Sequence, residues 1–146
     1  MPVSIVLLDD GEGILYLCEG ALRGPEIIRA NQELLASPGQ RRGRRYGLVD
    51  FSAAASVEIS TSELRILAEQ DARLAREAKI PILLAVVAPD DLGYGLARMW
   101  QAFAQDIGWS AEVFRERSTA QRWLQDSLAG GCRRGPRGKS GNAPSR

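Results

Sequence analysis

Ile80-Pro81-Ile82-Leu83-Leu84-Ala85-Val86-Val87-Ala88-Pro89-Asp90-Asp91 is the stretch on which the fold turns. From Ile80 to Ala88 it is almost continuously apolar, the pattern of a strand covered on both faces rather than one. Pro89-Asp90-Asp91 then opens a helix whose apolar stripe is Leu92, Leu96, Met99, Phe103 and Ile107, stopped by Gly108. Upstream, Ser60-Thr61-Ser62-Glu63 has the capping-box spacing, in which the Ser60 hydroxyl accepts from an amide of the first turn while Glu63 reaches back. The helix it starts carries Leu64, Leu67, Leu74, Ala75 and Ala78 on one face and closes at Lys79. A buried strand flanked by two such helices is the repeating unit of a parallel α/β sheet.

Working outward, Tyr46–Phe51 reads as a strand before the capped helix. Gly24-Pro25 opens an earlier helix, with Ile27, Ile28, Leu34 and Leu35 as its stripe and Ser37-Pro38-Gly39 as its end. Val3–Leu8 and Ile14–Cys18 flank Asp9-Asp10-Gly11-Glu12-Gly13, and Asp-Gly between two apolar runs predicts an antiparallel hairpin. Beyond Gly108, Ala111–Phe114 is a short strand. Ser118-Thr119-Ala120-Gln121 is a second capping box, and Ala120, Trp123, Leu124 and Leu128 line the last helix. The expected fold class is therefore α/β, a mixed sheet of about five strands with four helices in the order β-β-α-β-α-β-α-β-α. Residues 1–129 form the domain, and from Gly130-Gly131 the segment 130–146 is expected to be a disordered basic tail with nothing to bury.

The chain has 146 residues, 45% hydrophobic and 25% charged, which suits one globular domain. No apolar run approaches the ~20 residues of a membrane span, and the start, Met1-Pro2-Val3-Ser4-Ile5, lacks a signal-peptide pattern. The expected compartment is the cytoplasm, with Cys18 and Cys132 as reduced thiols. The net charge of +1 hides an asymmetry. Five of the 19 basic residues and none of the 18 acids lie from Cys132 onward (Arg133, Arg134, Arg137, Lys139, Arg146), so the rest carries 14 basic against 18 acidic residues, a net −4. Arg41, Arg42, Arg44 and Arg45 cluster in a loop. A solvated loop and tail on an acidic body do not make a nucleic-acid surface.

Catalytic chemistry is sparsely provided for. There is no histidine, which removes Ser-His-Asp, Cys-His and histidine-metal arrangements. Two separated cysteines make no CxxC site, and only Lys79 and Lys139 could form a Schiff base. Asp9, Asp10 and Glu12 sit in a turn, where aspartate serves backbone geometry. Gly93-x-Gly95 follows a strand and opens a helix as nucleotide loops do, but lacks a third glycine and has Asp90-Asp91 where phosphates would sit. No catalytic residue, metal or cofactor is expected.

The element order, with Leu48-Val49-Asp50-Phe51-Ser52 leading through a short loop to Ser60-Thr61-Ser62 at a helix start, resembles the STAS domain of bacterial anti-sigma factor antagonists. The segment Ala88-Pro89-Asp90-Asp91-Leu92-Gly93-Tyr94-Gly95-Leu96-Ala97-Arg98-Met99 is similar to the SpoIIAA-like branch, as is Val113-Phe114-Arg115 ahead of Ala120 and Trp123-Leu124. The resemblance covers about residues 3 to 128 and implies a SpoIIAA-like fold. In the antagonists a serine at the start of the second helix is phosphorylated by a partner kinase, which here points to Ser60, Thr61 or Ser62. The chain differs in having Ile59 where that pattern has aspartate and Ser62-Glu63 where it has glycine. The branch also resembles the lipid-carrying CRAL–TRIO fold.

Two functions follow. One is a non-enzymatic regulatory or adaptor module binding a protein partner, a regulator or kinase, through Ser60, Thr61 and Ser62 and a surface of Asp91, Tyr94, Arg98 and Trp100. Ser60 serves equally as a plain helix cap, and Trp100 sits at the edge of the core stripe. The other is a small carrier or sensor of an apolar or lipid-like ligand. A cavity of several hundred Å3 lined by Leu92, Leu96, Met99 and the strand Ile82–Val87 would favour it; a filled core would favour the adaptor. Whether the chain is a monomer or a dimer stays open.

Overall fold

The computed structural model describes residues 3–36, 44–77 and 81–134, with side chains as far as residue 130. Along them run β1 (Val3–Leu8), β2 (Gly13–Arg23), α1 (Gly24–Leu35), β3 (Tyr46–Glu58), α2 (Thr61–Glu77), β4 (Leu83–Val87), α3 (Asp91–Phe103), β5 (Ser110–Phe114) and α4 (Arg117–Arg134). This is the predicted order, and the strands form one mixed sheet in the spatial order β1-β2-β3-β4-β5.

The hairpin forms as expected, with β1 antiparallel to β2 from Val3 opposite Cys18 to Leu8 opposite Gly13. Its turn, Asp9–Gly11, is a single 3-10 turn in which Asp9, Asp10 and Gly11 have φ of 51°, 56° and 91°. Aspartate is among the few side chains that tolerate this left-handed region. The other pairings are parallel. Strands laid down in sequential order, each crossover right-handed, place their crossover helices on one face. The packing agrees: α1, α2 and α3 bury Ile27, Leu64 and Ala97 with Ile14, Tyr16 and Val86. On the opposite face α4 buries Ala120 and Leu124 against Leu15, Leu48 and Val87.

Several element limits differ from the sequence expectation. β2 runs to Arg23 and β3 to Glu58, well past Cys18 and Phe51. β3 pairs with β4 only from Tyr46 to Asp50; beyond a register shift it pairs with β2 alone, as far as Arg23 opposite Glu58. No short loop therefore leads from Ser52 to Ser60; a two-stranded extension does, and its Leu22 and Val57 are buried against the helices. β4 is shorter than expected, beginning at Leu83.

In α3 the buried face is Gly93, Ala97 and Trp100, while Leu92 and Met99 are exposed. The helix ends at Phe103 and a turn carries the chain to Gly108 at φ 89°. α4 begins at Arg117, so Ser118 lies inside its first turn instead of capping it, and the Ala120 amide donates to the Glu116 carbonyl at 3.2 Å. It continues past Gly130-Gly131 to Arg134. The expected Ser37-Pro38-Gly39 stop, Arg41, Arg42, Ala78, Lys79, Ile80 and the tail from residue 135 lie outside the described residues, as does the side chain of Cys132. Among the described residues no helix is long and apolar enough to cross a membrane.

Candidate functional site

α1 and α2 each carry a polar residue inside an apolar stripe. Asn31 falls between Ile27 and Leu34, and Asp71 between Leu67 and Leu74, and all six are buried. A buried polar group is costly unless it is hydrogen-bonded, and these find one another. The Asn31 side-chain amide donates to Asp71 Oδ1 at a long 3.4 Å, and the Tyr16 hydroxyl donates to Asn31 Oδ1 at 2.6 Å. Trp100 Nε1 donates to Asp71 Oδ2 at 2.9 Å. The chain Tyr16–Asn31–Asp71–Trp100 thus ties β2, α1, α2 and α3 together. Burial pushes the Asp71 carboxyl up to about 7, against the pull of its Trp100 and Asn31 donors. Burial, and then the charge of Asp71, raise the Tyr16 phenol far above its ordinary range, while Arg44 pulls it down.

The same four side chains line a cavity of about 410 Å3 between the helices and the sheet. Its walls are otherwise mostly apolar, with Phe51, Leu67, Leu84, Val86 and Leu96 among them. α3 contributes Leu96, Ala97 and Trp100 to this wall, and the Ala97 methyl group leaves space that a larger side chain at that position would take up.

Arg44 also lines the cavity and is only 6% exposed. The expectation of a solvated Arg41–Arg45 loop is therefore wrong for this residue. Arg44 Nε donates to the Gly11 carbonyl at 3.2 Å, and its Nη2 is buried without a hydrogen-bond partner. Burial lowers its pKa from the usual value, with Tyr16 acting the other way. The Nε1 of Trp109, another cavity residue, is likewise buried and unpartnered. Arg45 is half-buried and lies 3.7 Å from Glu12. Cys18 is a free thiol buried in the core, and burial, then Asp50, push it up to about 12. Such a thiol stays protonated and unreactive at neutral pH.

The residues predicted from sequence as a partner site lie elsewhere. Ser60, Thr61 and Ser62 are exposed at the start of α2. The capping box forms in both directions: the Ser60 amide donates to Glu63 Oε1 at 2.8 Å, and the Glu63 amide donates to Ser60 Oγ at 3.2 Å. Ser62 Oγ is 3.3 Å from Ser60 Oγ, and the Thr61 hydroxyl is 3.9 Å from Met99 Sδ. Asp91 is exposed and pairs at 2.7 Å with Arg115, which also stacks 4.3 Å over the Tyr94 ring. Arg98 is exposed. Trp100 does not belong to this surface, because it is buried and faces the cavity. At Gly93-x-Gly95, Asp90 Oδ1 accepts the Gly93 amide at 2.7 Å, so a carboxylate of the chain occupies the place a phosphate would take.

Sequence reasoning missed Tyr16, Asn31, Arg44, Asp71 and Trp109. For Asn31 and Asp71 a signal existed, since each is a polar residue in the phase of an apolar stripe.

A mixed sheet in the order β1-β2-β3-β4-β5, with three helices on one face and one on the other among the described residues, defines a SpoIIAA-like α/β fold, as the sequence resemblance implies. The chain is similar to an uncharacterised protein of the DUF3478 family from Shewanella loihica, whose crystal structure is described as having a SpoIIAA-like fold. The TM-score is 0.53 at 18% identity, over 84% of this chain and 91% of that one. No family model and no curated protein matches the chain.

Proposed function

We propose that the chain is a non-enzymatic binding module that takes one small, mainly apolar ligand into the space between α1, α2, α3 and the sheet. The observation that carries this is the cavity, whose volume of about 410 Å3 falls in the range typical of small-molecule sites, roughly 300–1,000 Å3. A core without function would close such a space, because voids forfeit packing energy. Leu96 and the β4 residues Leu84 and Val86 line it, as a carrier requires, whereas Leu92 and Met99 do not. The function places no demand on histidine, metal or reactive thiol.

Two of the three tryptophans, Trp100 and Trp109, line the cavity, while Trp123 packs with Phe114 on the α4 side. Intrinsic fluorescence therefore reports occupancy directly. Ten-carbon aliphatic probes such as 1-decanol should shift the emission saturably, and Ala97→Leu, which takes up part of the space, should weaken the response while keeping the native circular dichroism. An emission unchanged up to the solubility limit of the probes would refute the proposal.

A protein-partner reading has its own support. Leu92 and Met99 are 63% and 39% exposed, and Met99 stands beside Thr61 at the start of α2. An exposed methionine beside the hydroxyls at the start of α2 suits a docking face whose affinity phosphorylation of Ser60, Thr61 or Ser62 would change. Native mass spectrometry of the chain isolated from its own cells, with and without Ser60→Asp and Ser62→Asp, tests it. A chain that carries no partner in either form would exclude it.

A further inference from the structure

The cavity has an electrical and a hydrogen-bonding bias that the apolar reading leaves unused. Both unpartnered buried polar atoms on its wall, Arg44 Nη2 and Trp109 Nε1, are donors. Gln70 Oε1 is a buried acceptor without a partner, but Gln70 does not line the space. The other polar side chains of the wall are already engaged: Tyr16 donates to Asn31, Tyr46 donates to Asp9, both Asp71 oxygens accept N–H groups, and the Glu77 carboxylate has an interaction of its own. Among the described residues no carboxylate lies within ion-pair distance of Arg44, whereas Arg45, Arg115 and Arg117 each have one. A guanidinium buried without a counter-ion is expensive to maintain in an apolar surrounding. The two donors are missing an acceptor, and the cation is missing an anion.

We infer that the ligand is a monoanionic amphiphile, an apolar chain or ring system bearing one carboxylate or similar oxyanion, and that Arg44 is the residue that anchors its charged end. This rests on the cavity being a ligand site. The carboxylates of the wall set the orientation: the Asp71 oxygens are taken up by Asn31 and Trp100, so an anion is accepted at Arg44 and repelled from Asp71 and Glu77. A guanidinium presents its donors in a planar fork that fits a carboxylate in two-point contact. The volume admits one chain or ring system beyond that contact.

The test compares decanoate with 1-decanol by calorimetry and tryptophan fluorescence at pH 8, where the carboxylate is ionised. Decanoate should bind at least about tenfold more tightly than decanol, as expected for a charge-assisted hydrogen bond over a neutral one. Arg44→Gln should lower decanoate affinity far more than decanol affinity and so remove that preference, and Arg44→Lys should restore part of it. Equal or tighter binding of decanol to the unaltered chain would overturn the anion inference while leaving the cavity reading standing. Binding of neither probe would sink the cavity reading itself. A preference for decanoate that survives in Arg44→Gln would remove Arg44 as the anchor. Should that variant not fold, the comparison on the unaltered chain still decides between anion and neutral ligand.

Discussion

In the unfolded chain the Asp71 carboxyl ionises near its ordinary 3.8, and in the fold burial holds it to about 7. Between those values unfolding releases a proton, so a rise in pH favours the unfolded state. The effect is absent below about pH 4 and complete above about pH 7, where it lowers stability by something on the order of a few kcal/mol. Asp71→Asn keeps an oxygen for the Trp100 N–H and cannot ionise. The melting temperature of the natural chain should therefore fall between pH 4.5 and pH 8 by about 5 °C or more beyond any fall in Asp71→Asn; parallel curves would show that Asp71 does not titrate there. At this scale the sequence was half legible. Asn31 and Asp71 stand at core positions of their helices, spaced as the neighbouring leucines are, and that misfit can be read without coordinates. Arg44 cannot be separated from Arg41, Arg42 and Arg45 by any local pattern, because its burial depends on Gly11, which is 33 residues away.

Elements were read well where a backbone rule fixes them. The Ser60–Glu63 box forms as its spacing predicts, and its energy is open to measurement. Ser60→Ala should lower stability by about 1 kcal/mol in a urea titration, whereas Ser60→Asp should change it by a few tenths at most, since aspartate caps as well as serine. An unchanged Ser60→Ala midpoint would mean the box is ornamental. Elements were misread where size stood in for burial. In α3 the large aliphatic residues Leu92 and Met99 marked one face, but the buried one is Gly93, Ala97 and Trp100. Successive residues of a helix are 100° apart, so a one-residue shift of phase puts Leu92 and Met99 in solvent while Leu96, Phe103 and Ile107 stay half-buried against the core. The far half of β3 failed for another reason: Ser52-Ala53-Ala54-Ala55-Ser56 has no apolar alternation, and only its pairing with β2 makes it a strand. The second capping box gave way to Arg117, which enters the first turn of α4 and holds the buried Asp50 at 3.0 Å.

For the whole molecule, sequential strand order is the decisive fact. It stacks α1, α2 and α3 on one face, and their meeting is where small and polar residues leave a hollow. Chain order and right-handed crossovers made this layering legible; the hollow was not, since it follows from how three stripes of unequal bulk meet. A hollow core has a thermodynamic consequence. A ligand that binds only the folded state stabilises it by RT ln(1 + [L]/Kd), about 2.7 kcal/mol at a hundredfold excess over Kd. For a domain of this size that corresponds to roughly 5–10 °C in melting temperature. Ala97→Leu fills part of the same volume with covalently attached atoms, so two effects are expected together. The variant without ligand should melt above the natural chain, and added decanoate should move it little, while decanoate should raise the natural chain by the full amount. Scanning calorimetry of the four samples settles it. If Ala97→Leu melts lower, its side chain collides with packed atoms and the space beside α3 is not hollow. If both chains rise equally, decanoate binds somewhere other than the cavity.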